Sequence, residues 1–210
     1  MRRQLVLLPI LFGFFVMGFA DIISTALIRI EEECRLAAAV LPLMIFVWFL
    51  LISIPTGILC GKIGRKNTVL ASLALTVAAM FLPFAATAER WWIYAVSFAF
   101  LGIGNTMIQA ALPALMSNVV PQEKLTARIS LGQFVKALCA AATPVVALFC
   151  AERLGNWKYL FLVYGALTFV AAAWLALSPI PRERASAAPP SFASCVRQLA
   201  SPYILAMVVG

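Results

Sequence analysis

Residues 36–88 read LAAAVLPLMIFVWFLLISIPTGILC, GKIGRKN, TVLASLALTVAAMFLPFAATA: an apolar stretch at 36–60, a short turn holding Lys62, Arg65 and Lys66, and a second apolar stretch at 68–88. A helix needs about 20 mostly apolar residues to cross roughly 30 Å of hydrocarbon. Two such stretches joined by a basic turn predict a transmembrane helical hairpin. The same pattern runs outward in both directions, with further apolar stretches at 4–30, 91–119, 126–151 and 158–178. A seventh begins near 199 and has reached only Gly210, too short to cross. The expected fold is an all-α membrane protein: a six-transmembrane-helix bundle over 1–178, a linker at 179–198 rich in proline and arginine, and the start of a seventh helix at 199–210. So cut, the chain looks like the front half of something larger.

Composition supports this and excludes other classes. Hydrophobic residues make up 64% and charged residues 11%, against about 25% charged in a soluble domain. The net charge of +8 does not gather on one face, as a nucleic-acid footprint requires. With the N-terminus cytoplasmic, the inner loops hold Arg2, Arg3, Lys62, Arg65, Lys66, Lys124, Arg128, Arg182, Arg184 and Arg197. The outer ones hold Arg29, Arg35, Arg90, Arg153 and Lys158. Ten against five is the positive-inside direction; the expected location is the cytoplasmic (inner) membrane, with the N-terminus cytoplasmic. Trp91, Trp92, Tyr94, Trp157 and Tyr159 then fall at the outer interface, where amphipathic rings anchor. Five cysteines without a CxxC and no histidine exclude the usual metal sets. No nucleophile–base pair or phosphate loop points to an enzyme, and no cofactor motif is present.

A few polar residues interrupt the apolar spans. Asp21 lies deep in the first. A carboxylate in hydrocarbon costs several kcal/mol, so it is paired, faces a wet cavity or carries a proton. Lys136 lies inside the fifth span with Gln133 one turn before it. It either forms a charge pair with Asp21 or snorkels toward the inner interface. Asn105 and Gln109, four apart, share a face of the fourth span. They line a cavity, where amides donate to and accept from a hydroxyl-rich or zwitterionic ligand, or they join helices. Trp48 in the second span stacks on a sugar ring or packs against lipid. The first and fourth spans both carry glycine-rich polar centres, Gly18-Phe19-Ala20-Asp21 and Gly102-Ile103-Gly104-Asn105, as in a three-plus-three inverted repeat.

The turn Gly57-Ile58-Leu59-Cys60-Gly61-Lys62-Ile63-Gly64-Arg65-Lys66 resembles the signature between the second and third helices of the major facilitator superfamily, G-x-x-x-D-[RK]-x-G-[RK]-[RK]. Gly57, Lys62, Gly64, Arg65 and Lys66 match, and Gly61 stands where the family has its acid. That resemblance implies the N-terminal half of a twelve-helix fold, a conformational-switch loop at these residues and alternating access. It also implies a partner six-helix bundle beyond this chain. Asp21, the stretch 104–111 and Leu131–Lys136 look like the fucose and glucose/galactose permease branch. In that branch an acid in the first helix and a polar or acidic residue in the fourth serve proton coupling and sugar binding. The expectation is therefore symport of a small polar solute with H+, with Asp21 and Lys136 in proton coupling and Asn105, Gln109, Gln133 and Trp48 at the substrate. The fourth-helix acid is Gln109 here. The rival is a non-transporting six-helix subunit or an inactive truncated transporter.

Overall fold

The computed structural model describes residues 2–34, 40–87 and 89–180. All but the first two residues of the linker at 179–198, and the start of the seventh helix, lie outside the described residues, and so do the side chains of 2–5, 20, 21, 23–25, 33, 34, 40–42 and 44–46. Among the described residues the chain is all helical. Its α-helices are α1 (Arg2–Met17), α2 (Ile22–Cys34), α3 (Val40–Ile63), α4 (Arg65–Phe81), α5 (Trp92–Val119), α6 (Gln122–Arg153) and α7 (Tyr159–Leu177). Among the described residues, four segments are long and apolar enough to cross a membrane: Arg65–Ala85, Trp92–Val119, Gln122–Arg153 and Tyr159–Leu177. Two further apolar helical stretches, Val6–Met17 and Val47–Ile63, are shorter.

Each helix satisfies its own backbone, the only economical arrangement for a lone segment in hydrocarbon. The interruptions therefore carry the information. Gly64 sits at φ 86°, a left-handed conformation open to glycine at little cost, and separates α3 from α4. Its carbonyl is reused at once, accepting from the Thr68 N–H at 3.1 Å and the Thr68 hydroxyl at 3.0 Å. Pro121 opens α6 directly after Val120, whose extended backbone ends α5. Such tight connections make sequential helices antiparallel.

The first apolar stretch departs from a single span. It is broken by a 3-10 turn, Gly18–Asp21, into α1 and α2. The fourth stretch has a similar glycine-rich centre yet runs unbroken as α5. The matching composition of those two centres does not become matching backbone.

The core lies where α1 meets α5, α6 and α7, and where α4 packs between α5 and α7. Phe14, Phe19, Tyr94, Phe98 and Phe161 are the largest side chains closed off from the surface. Small residues bring α4 and α5 close: a β-carbon at Gly104 would lie 2.6 Å from the Thr76 hydroxyl oxygen and 3.1 Å from the Ser72 carbonyl oxygen. Across the same seam the Ser97 hydroxyl donates to the Ala79 carbonyl at 2.7 Å. Without water to expel, membrane helices associate through such close packing and hydroxyl bonds.

Candidate functional site: a broken helix against a polar seam

The 3-10 turn is wedged between two helices. On one side is α6: a β-carbon at Gly18 would lie 2.7 Å from the Lys136 carbonyl oxygen and 2.8 Å from Cys139 Cβ. Only glycine lets the turn come so close. One helical turn earlier along α6, Gly132 gives way to the ring of Phe14 in the same manner. On the other side is α7, where the buried rings of Phe19 and Tyr164 stack with centroids 4.1 Å apart and planes 1° from parallel. Tyr164 is tied onward to α6, its hydroxyl lying 3.0 Å from Thr143 Oγ1.

This geometry relates the two charged residues singled out from sequence. Asp21 closes the turn that Gly18 opens, and Gly18 rests on the backbone of Lys136. The Asp21 side chain lies outside the description, and among the described residues the one ion pair is Arg29–Glu32, at 3.4 Å on α2. Lys136 itself is half-buried on α6.

The uncharged candidates divide. The Gln109 amide donates to Asn105 Oδ1 at 3.4 Å, so the two amides form one unit on α5, with Asn105 buried and Gln109 half-buried. Trp48 is half-buried on α3, and Gln133 is exposed on α6. Among the described residues, no hydrogen bond joins either to Asn105 or Gln109. No group of His, Cys, Asp and Glu that could hold a metal ion occurs among the described residues.

The glycine turn between α3 and α4 has a structural explanation for its spacing. Arg65 Nη1 donates to the Ala114 carbonyl at 2.6 Å, to Ser117 Oγ at 2.9 Å and to Asn118 Oδ1 at 2.6 Å, at the C-terminal end of α5. Lys66 Nζ donates to the carbonyls of Ala176 at 3.0 Å and Ser178 at 2.8 Å, at the end of α7. Two cations thus meet carbonyl oxygens near the C-terminal ends of two helices, at the negative ends of their dipoles. Gly64 makes the turn, and the next two residues cap two neighbours. Gly57 and Lys62 are exposed.

At the opposite end of α4 a third cation does similar work. Lys158 Nζ donates to the Ala86 carbonyl at 3.0 Å and lies 5.5 Å from the Tyr94 ring and 6.0 Å from Trp157. The sequence grouped Tyr94 and Trp157 with the interface anchors. The structure divides that group, burying Tyr94 while leaving Trp91 and Trp92 exposed. Sequence reasoning missed Thr143, Tyr164 and Lys158.

A helical bundle with this hairpin signature and a broken first span defines a class of membrane protein. The Major Facilitator Superfamily profile matches residues 10–210, and the chain belongs to that family, whose members are transporters and not enzymes. No curated protein matches it. Among solved structures it is similar to the E. coli fucose:proton symporter FucP, with a TM-score of 0.72 and 20% sequence identity, over 92% of this chain and 55% of the symporter. The described bundle has the fold of half a major facilitator protein, and the chain spans about half the length of that relative.

Proposed function

We propose that the protein carrying this chain is a proton-coupled secondary transporter of a small polar solute, with sugars the first class to try. It works by alternating access between this bundle and a second one. The observation that carries the reading is the break at Gly18–Asp21, packed onto α6 at Lys136. Discontinuous membrane helices collect at midplane sites because the freed backbone groups and a local carboxylate can serve a ligand or an ion. In this reading Asp21 loads the proton and, once deprotonated, pairs with Lys136. The Asn105–Gln109 unit supplies donors and acceptors to the solute, with Gln133 and Trp48 completing the site. The likeness to a fucose:proton symporter supports a sugar and a proton as the pair to test first. The protein sits in the cytoplasmic (inner) membrane in this reading, and the ten-to-five distribution of basic residues supports a cytoplasmic N-terminus. The loop Gly57–Lys66 acts as the switch, with Gly61 in place of the family acid and exposed Lys62 facing the second bundle.

Uptake of a panel of sugars by the full-length protein in proteoliposomes under an imposed proton gradient, with Asp21→Asn in parallel, tests this. Uptake that collapses in the variant supports coupling at Asp21. Undiminished proton-driven uptake in Asp21→Asn ends that assignment. A panel with no transported sugar withdraws the sugar.

A further inference from the structure

The Phe19–Tyr164–Thr143 cluster is not accounted for by packing alone. Thr143 Oγ1 lies 3.0 Å from the Cys139 carbonyl, to which it donates, as a helical threonine can. Its proton is thereby committed, so in the 3.0 Å contact with Tyr164 the phenol is the donor. Both residues are buried. Burying a phenolic hydroxyl is costly unless it is bonded, and an interhelical hydrogen bond in a membrane contributes only about 0.6 kcal/mol. Stability alone gives little reason to prefer tyrosine over phenylalanine here. What the hydroxyl does fix is the orientation of a ring, and that ring lies flat on Phe19.

From this geometry we infer that Tyr164 is a positioning residue for Asp21: anchored through Thr143, it holds the backbone of the helix break on which Asp21 stands. The inference rests on the reading of Asp21 given above. Gly18 is clamped by the backbone of Lys136 and by Cys139 on α6, and Phe19 by Tyr164 on α7. The Thr143–Tyr164 bond ties the two clamps to each other. In a 3-10 turn each residue advances about 2 Å, so Asp21 follows within roughly 6 Å of Gly18. The titratable groups brought to the turn are Lys136 and Cys139 from α6 and Tyr164 from α7. The α5 stretch Leu101–Leu112 carries none.

The test reads the carboxyl proton directly. Infrared spectra of the full-length protein in liposomes are titrated with pH, and the Asp21 carboxylic band is assigned by its loss in Asp21→Asn. Tyr164→Phe and Thr143→Val should each move the midpoint of that band by about half a pH unit or more. Thermal unfolding should change little, Thr143→Ser should restore the midpoint, and the exposed phenol variant Tyr159→Phe should leave it in place. A midpoint unmoved in Tyr164→Phe, Thr143→Val and Tyr164→Leu alike overturns the inference. Absence of any band lost in Asp21→Asn overturns it together with the coupling role of Asp21. A band that shifts as expected in a protein that takes up no solute with protons leaves this inference standing and removes the transport reading.

Discussion

The α4–α5–α7 side and the α6 side of this bundle are built on different terms. Most of the middle of α5 is buried within the protein, whereas little of α6 is. The first group is closed by a glycine seam, by hydroxyl bonds across it, and by cations at both ends: Arg65 and Lys66 at one, Lys158 at the other. Along its 32 residues α6 buries only Gly132, Cys139, Thr143 and Cys150, a single narrow stripe. Phe134, Leu138, Val145, Leu148 and Phe149 stay exposed. Local opening is easiest where few buried contacts hold an element. On the reading proposed above, the α4–α5–α7 group is the scaffold, and α6 with the broken helix on it is the part that responds. In that setting Thr143 and Lys136 sit on the α6 side, and Tyr164 reaches Thr143 from the scaffold.

Breaking the scaffold should cost most. Gly104→Val forces branched carbon into the Thr76 hydroxyl and the Ser72 backbone, and overpacking of that kind costs about 1–3 kcal/mol or more. The expected outcome is loss of a monodisperse peak in detergent, or a large fall in unfolding temperature. Gly18→Ala drives a β-carbon to 2.7 Å from a backbone carbonyl that cannot rotate away. It should destabilise by about 1–2 kcal/mol, with the increase in hydrogen exchange confined to the turn and the facing part of α6. Arg65→Gln removes three hydrogen bonds from a half-exposed guanidinium. A loss of about 1 kcal/mol is expected, seen as fraying of amides 114–119 by hydrogen exchange while the middle of α5 stays protected. Smallest of all, Phe134→Ala on the exposed face of α6 should change the stability of this bundle by less than about 0.5 kcal/mol. An effect on Phe134→Ala as large as that of Gly104→Val would erase the distinction between the two sides.

Much of the architecture was legible from residue order, because a bilayer imposes span length and charge placement directly. The fourth and sixth stretches, 91–119 and 158–178, match α5 and α7 to within a residue. The fifth is longer than its apolar core, since residues 122–125 extend the helix ahead of the stretch at 126–151. The break at Gly18–Asp21 was not legible. Its composition resembles the unbroken centre of α5, and what distinguishes it is tertiary: a ring stacked on Phe19 and a carbonyl against Gly18. The charges at 62–66 could be read as a loop, yet that Arg65 and Lys66 turn back to cap α5 and α7 depends on which helices lie beside them. Of the proposed site, the pairing of Asn105 with Gln109 follows from their spacing. Tyr164 and Thr143 were invisible because single hydroxyls inside apolar spans look like filler until their partners are known.

The most direct test is hydrogen–deuterium exchange on the full-length protein in a bilayer, compared between acidic and alkaline pH and repeated with Asp21→Asn. Exchange should change with pH in the segments around 14–28 and 130–146, remain unchanged across 94–118 and 159–177, and lose its pH dependence in the variant. A pH response spread evenly over α5 and α7, or one that survives in Asp21→Asn, would contradict the division into a scaffold and a proton-responsive helix pair.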